Sequence, residues 1–253
     1  MKAALGVLIL HGFTSSRATV EALVPQAEAL GLPWRLPQLR GHWTSPADLV
    51  GVTYDDMLDD ATTALGDLRG ETESVAVIGL SVGGVLALDL TLRQSGVDSL
   101  VVLAPALRYA NPLARFAPLV ARIMKTANNE PALAFADSSL VGRAGNYTTF
   151  PCATFVTVER AGRRVEGALP GITTPLLIVG ARSDRVVRPE VAQIVHDRVG
   201  SVEKELVWFE RSGHELLLDC EAEAVADRVG QFLRQRLESV KSHEGEQRII
   251  DRG

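Results

Sequence analysis

The chain lacks several features that would define its chemistry by themselves. It holds two cysteines, Cys152 and Cys220. That is too few for a disulfide framework, and neither has a second cysteine at metal-ligand spacing. They read as two buried thiols in a reducing cytoplasm. An excess of positive charge is missing: 26 Lys and Arg stand against 31 Asp and Glu, for a net charge of −5. That balance argues against a nucleic-acid partner, whose phosphates demand clustered cations. No apolar run approaches the roughly 20 residues that cross a bilayer. The apolar start, Ala3 to Leu10, follows a single lysine and runs straight into His11-Gly12 without a small-residue cleavage site. It therefore reads as a buried strand and not as a signal peptide. Internal repeats and low-complexity tracts are lacking too.

What is present is a globular composition. The 253 residues are 46% hydrophobic and 23% charged, enough to bury a core without staples. At roughly 150 residues per domain the length corresponds to about 1.7 domains, a soft figure because α/β domains often reach this size whole. Short apolar runs alternate with helical patterns. Strands are expected at about Ala3–Leu10, Pro33–Leu36, Ser74–Gly79, Ser99–Ala104, Pro175–Gly180 and Lys204–Phe209. Helices are expected at Val20–Leu30, Tyr54–Leu68, Val82–Gln94, Pro189–Val199 and Glu221–Leu237. The runs VAVIG, LVVLA and PLLIVG are apolar throughout, as strands covered on both faces are. Strand–helix alternation implies right-handed crossovers and a parallel sheet, so the fold class is α/β.

The alternation stops between Pro105 and Pro170, where Leu113, Phe116, Ala117, Val120, Ile123 and Met124 suggest one amphipathic helix. This segment reads as an excursion above the sheet, its apolar stripe serving as local core. The polar end, Ser242 to Gly253, reads as a frayed tail.

The chemistry concentrates at strand ends. Gly79-Leu80-Ser81-Val82-Gly83 follows VAVIG and opens a helix. A serine between two glycines at such a turn is exposed on strained backbone, with the helix N–H groups aimed at the reacting carbonyl. A serine hydroxyl needs a base. Of the five histidines, His243 lies in the tail and His196 sits mid-helix among polar neighbours. His214, in Arg211-Ser212-Gly213-His214-Glu215, follows the strand ELVWF, at the edge where ligand chemistry collects in such sheets. The base needs an acid to fix its tautomer. Asp184 follows PLLIVG, whereas Asp197 and Asp219 fall on or beside helices. The chain order Ser81, Asp184, His214 is that of α/β-hydrolases and not of chymotrypsin or subtilisin. After the first strand, His11-Gly12-Phe13 can bring the Phe13 N–H to an oxyanion hole completed by the Val82 N–H, with His11 organising the loop. Two charged clusters read as solvated faces: Asp55, Asp56, Asp59 and Asp60, with Thr53 as a helix cap, and Arg160, Arg163 and Arg164 in a polar loop.

Together LILHGFTSS, PQLRGHWTSPADL, GLSVGG, ARSDRVVRPEVA and RSGHELLLD resemble the α/β-hydrolase superfamily, in particular bacterial carboxylesterases and monoacylglycerol lipases. The resemblance covers nearly the whole chain. It implies Ser81 as nucleophile, His214 as general base and then acid, Asp184 as its orienter, and Phe13 and Val82 as oxyanion donors. It implies an inserted cap at 105–170 over an acyl pocket, which leaves an α/β-hydrolase core at 1–104 and 171–240, while the polar end at 241–253 reads as a flexible tail. It also implies a roughly six-stranded sheet without the leading antiparallel strands of larger relatives, a small ester substrate with an apolar acyl group, and no cofactor or metal. One departure is Gly41-His42-Trp43, where relatives often carry Gly-His-Gly. The same triad would serve a thioesterase, a lactonase, a C–C hydrolase or a perhydrolase, and a hydrolase scaffold can also serve as a non-catalytic binder. Haloalkane dehalogenation is excluded, because its nucleophile is an aspartate and this chain has Ser81.

Overall fold

The computed structural model describes residues 2–250, with side chains through 242. Six parallel strands form one sheet in the order β2-β1-β3-β4-β7-β8. They are β1 (Ala3–Leu10), β2 (Trp34–Arg35), β3 (Thr72–Leu80), β4 (Val97–Leu103), β7 (Leu176–Ala181) and β8 (Lys204–Phe209). The helices between them are α1 (Val24–Ala29), α2 (Tyr54–Glu71), α3 (Val82–Arg93), α6 (Glu190–Arg198) and α7 (Ala222–Ile250). The sheet therefore has the expected strand count and sense. The tail expected at 241–253 falls mostly on positions outside the described side chains, and 251–253 lie outside the described residues altogether.

Two apolar layers sandwich the sheet, and the pleat sorts side chains between them. Leu8 and Leu10 of β1 join α2, α3 and α6 on one face, while Leu5, Val7 and Ile9 meet α1 and α7 on the other. Helix α2 starts as its sequence indicates. Thr53 Oγ1 accepts the Asp56 N–H at 3.2 Å and Asp56 Oδ2 accepts the Thr53 N–H at 2.8 Å, a reciprocal cap. The acidic cluster does more than face water, because Asp56 and Asp60 both clasp the Arg40 guanidinium.

The segment between β4 and β7 differs from the expected excursion in three ways. It contains α4 (Ala117–Val120), a small antiparallel pair of β5 (Thr126–Asn128) and β6 (Thr149–Pro151), and the 17-residue helix α5 (Cys152–Ala168). Helix α5 buries Val158, Ala161 and Val165 in the main core layer beside α3. Its opening, CATFVTV, is rich in β-branched and aromatic residues that disguise a helix. The arginines assigned to a polar loop lie on this helix: Arg163 pairs with Glu159 and Arg164 with the buried Asp89 of α3. The single amphipathic helix over 113–124 is not formed. Pro112 opens a 3₁₀ turn (Pro112–Phe116) and Pro118 sits in the first turn of α4, the place in a helix that tolerates proline. Leu113, Phe116, Ile123 and Met124 are consequently exposed, so this stripe is not local core. Of the two thiols, Cys152 is buried as expected but Cys220 is exposed.

Candidate functional site

Ser81, Asp184 and His214 all lie just beyond the carboxyl ends of parallel strands: β3, β7 and β8. Ser81 takes φ 57° and ψ −118°, well outside the ordinary regions for an L-residue. Such a conformation costs about 1–3 kcal/mol and needs surroundings that over-determine it. Those are present. The Ser81 N–H donates to Leu103 O at 2.9 Å, and Ser81 O accepts from Gly84, Val85 and Ala106 N–H groups at 3.0, 3.2 and 3.1 Å. A Cβ at Gly83 would stand 2.1 Å from Leu10 O, so only glycine lets α3 begin this close to β1.

Asp184 and His214 form a buried pair, with His214 Nδ1 donating to Asp184 Oδ2 at 2.8 Å. The other carboxylate oxygen accepts the N–H groups of Val186 and Val187 at 2.8 and 2.9 Å. Asp184 is thereby locked by backbone, and it fixes the tautomer and plane of the ring. Burial by itself would lower the His214 pKa, but the Asp184 charge and hydrogen bond, together with the neighbouring Glu215 carboxyl, outweigh it and leave it above the ordinary imidazole value. The Ser81 hydroxyl makes no side-chain hydrogen bond among the described residues. The structure thus joins Asp184 to His214 and brings Ser81 to the same edge without a serine–histidine bond, which in unliganded sites is often long. Asp197 and His196 pair with each other on an exposed face. Asp219 instead gathers the N–H groups of Gly213, Ala136 and Asp137 at 2.7, 2.6 and 3.2 Å, pinning the residue before His214.

The loop after β1 lies against the serine turn, since a Cβ at Gly12 would stand 3.1 Å from Ser81 Cβ. The N–H groups of Phe13 and Val82 donate to no acceptor among the described residues. Two buried histidines hold this loop. His11 Nδ1 donates to Gly12 O at 2.9 Å and its Nε2 accepts the Leu39 N–H at 3.3 Å. His42 Nδ1 donates to Arg40 O at 3.0 Å and its Nε2 accepts the Thr14 N–H at 3.1 Å. Both rings are neutral in this arrangement: burial, then the neighbouring His42, brings His11 down to about 3, and burial also lowers His42. The sequence gives His42 no role, because its contact with the Thr14 N–H joins positions 28 residues apart. Trp43 packs its ring 5.0 Å from His11 and against the α1/α7 layer.

The segment between β4 and β7 closes over these loops. Asn129 Nδ2 donates to Thr14 Oγ1 at 3.0 Å, the Tyr147 N–H donates to Thr14 O at 2.9 Å, and Tyr147 Oη accepts the Thr44 N–H at 2.9 Å. Phe150 and Phe155 set their rings 5.6 and 6.3 Å from Phe13, and Tyr109 extends the group 5.0 Å from Phe155. These rings form an aromatic cluster around the Phe13 side chain. Among the described residues no three His, Cys, Asp or Glu side chains gather as metal ligands, and no helix is long and apolar enough to cross a membrane.

Comparison with known proteins agrees with this architecture. A carboxylesterase of Bacillus subtilis (strain 168) is 28% identical, the match covering 90% of this chain and 91% of that protein. A thermostable monoacylglycerol lipase of Bacillus sp. (strain H-257) is 25% identical, with 90% of each chain covered. A solved structure from work on the metagenome-derived lipolytic enzymes LipS and LipT superposes with a TM-score of 0.86 at 26% identity, covering 93% of this chain and 95% of that one. A monoacylglycerol lipase from Paleococcus ferrophilus has the same fold, with a TM-score of 0.77 at 16% identity over 93% and 98% of the two chains. Residues 2–221 match the Hydrolase_4 family (serine aminopeptidase, S33), and the chain belongs to that family of α/β-hydrolases.

Proposed function

We propose that the protein is a serine hydrolase of carboxylic esters with a moderately apolar acyl group, of carboxylesterase or monoacylglycerol lipase type. The observation that carries this reading is the buried Asp184–His214 pair at the same sheet edge as the strained Ser81. His214 Nε2 takes the Ser81 proton as Oγ attacks the ester carbonyl. The Phe13 and Val82 N–H groups receive the oxyanion, each donor of this kind contributing about 3–4 kcal/mol. His214 then protonates the leaving alcohol, and a water activated by the same ring releases the acid. Besides the ester and one water, these steps use only side chains and backbone of this chain.

The segment at 105–170 acts as the cap, and its Phe150, Phe155 and Tyr109, with Phe13, supply an apolar wall for the acyl chain. The carboxylesterase and monoacylglycerol lipase relatives support an ester substrate. We place the enzyme in the cytoplasm, where the exposed Cys220 thiol stays reduced. The test is turnover of a chain-length series of p-nitrophenyl esters and monoacylglycerols, with thioesters and lactones in parallel. Ser81→Ala is expected to lose turnover by at least about four orders of magnitude and to lose fluorophosphonate labelling, with folding intact. Undiminished turnover in that variant overturns the assignment.

A further inference from the structure

Glu215 follows His214 directly and is only 3% exposed, yet its carboxyl is incompletely bonded. Oε1 accepts from Asn146 Nδ2 at 2.6 Å. Oε2 is buried with no partner, and so is Asn146 Oδ1, the remaining oxygen of the same partner. Two buried acceptors without donors are destabilising, the more so where one is a carboxylate. One proton on Oε2 would remove both deficits if the acid donated it to the amide oxygen while accepting from the amide nitrogen. A carboxylic acid and a primary amide are complementary in this two-bond pairing.

We infer that Glu215 is a positioning residue for His214, a neutral acid joined by two hydrogen bonds to Asn146 across the seam between the 105–170 segment and the His214 loop. The groups around it fit a protonated carboxyl. Burial above all disfavours any charge there, His214 and the Asn146 bond pull the other way, and Asp184 and Asp219 disfavour a third negative charge; the balance raises the Glu215 pKa. The backbone completes the clasp: the Glu215 N–H donates to Ala134 O at 2.9 Å, while Asp219 holds Gly213. His214 is thus fixed on both sides, from the core by Asp219 and from the 105–170 segment by Asn146 and Ala134. Neutrality also suits the base. A charged Glu215 would stabilise imidazolium and keep His214 protonated to higher pH, where it cannot accept the Ser81 proton.

The functional part of this inference rests on the ester-hydrolase reading; the protonation state does not. Infrared spectroscopy of the wild type at pH 7 is expected to show a protonated carboxylic C=O stretch that disappears in Glu215→Gln. Gln keeps one donor and one acceptor for Asn146, so kcat should stay within about threefold. The acid limb of kcat/KM should not move, since a neutral group replaces a neutral group. Glu215→Met, which fills the space without either bond, should lower kcat about tenfold or more and be matched, not compounded, by adding Asn146→Leu. The inference is overturned if no carboxylic stretch distinguishes wild type from Glu215→Gln. It is equally overturned if Glu215→Gln shifts the acid limb to lower pH, or loses as much activity as Glu215→Met. A wild type without ester turnover would sink the functional reading alone, and the infrared comparison would still decide the pairing.

Discussion

The Nε2 of His42 accepts the Thr14 backbone N–H at 3.1 Å, tying the loop after β2 to the loop that carries Phe13. Thr14 sits at φ 62°, so a side chain from another loop holds it in a left-handed conformation. If the Phe13 N–H is the oxyanion donor proposed above, its aim depends on an imidazole in a different loop.

His42→Phe keeps a ring between His11 and Tyr147 but removes the acceptor. The buried Thr14 N–H then lacks a partner, at a cost of about 1–3 kcal/mol. We expect kcat to fall about 10–100-fold with KM within about threefold, because the oxyanion donor matters more in the transition state than in the ground state. Steady-state kinetics with one p-nitrophenyl ester checks this; a rise in KM at unchanged kcat would show that the loop serves substrate binding instead.

His11 makes the fold sensitive to mild acid. Its pKa falls from 6.5 unfolded to about 3 folded, chiefly through burial. Below pH 6.5 the unfolded chain binds a proton that the folded ring refuses, so its stability contribution is full above 6.5 and lost as pH falls toward 3. The slope approaches about 1.4 kcal/mol per pH unit. Between pH 6.5 and 5, the fall in Tm should be shallower for His11→Gln than for the wild type; parallel curves would refute the assignment.

Gly83→Ala should damage the serine turn without touching a side chain that does chemistry. The new Cβ meets Leu10 O at 2.1 Å and His11 O at 2.7 Å, both backbone atoms that cannot swing aside. Either β1 separates from α3 or Ser81 leaves its held conformation. The expected result is about 1–3 kcal/mol lower stability together with a larger loss of kcat than of melting temperature would explain. Chemical denaturation and kinetics on the same preparation measure both.

The sheet and the strand-end residues were legible because their signals are local. Six apolar runs bounded by turns mark six strands, and Ser81, Asp184 and His214 each follow one of them. The segment from 105 to 170 was not legible for equally physical reasons. Helix α5 begins with a β-branched run, Pro112 and Pro118 divide the apolar stretch into a 3₁₀ turn and the four-residue α4, and β5 and β6 are three residues each. Contacts made by side chains across the fold carry no sequence signature at all. His42 to Thr14 spans 28 positions and Asn146 to Glu215 spans 69. Each is two ordinary polar residues until the fold brings them together.

In the proposed mechanism the Asp184–His214 bond sets the pH profile. The base works as neutral imidazole, and the buried carboxylate holds its pKa above the ordinary 6.5. Activity should therefore be lost as pH falls through a midpoint higher than that of a free histidine, and it should be retained on the alkaline side of that midpoint. Asp184→Asn keeps the shape, and its amide oxygen can still accept both backbone N–H groups, but it removes the charge. His214 is then left with the lowering effect of burial, so the acid limb should move to lower pH. At the same time kcat at pH 8 should drop about 10³–10⁴-fold, because the imidazolium formed in the transition state has lost its counter-charge and the ring its tautomer. The two changes have opposite consequences at acid pH, which makes the ratio of variant to wild-type activity rise as pH is lowered. A pH–rate series on both proteins tests this directly. An acid limb that stays in place in Asp184→Asn would mean that some other group controls His214.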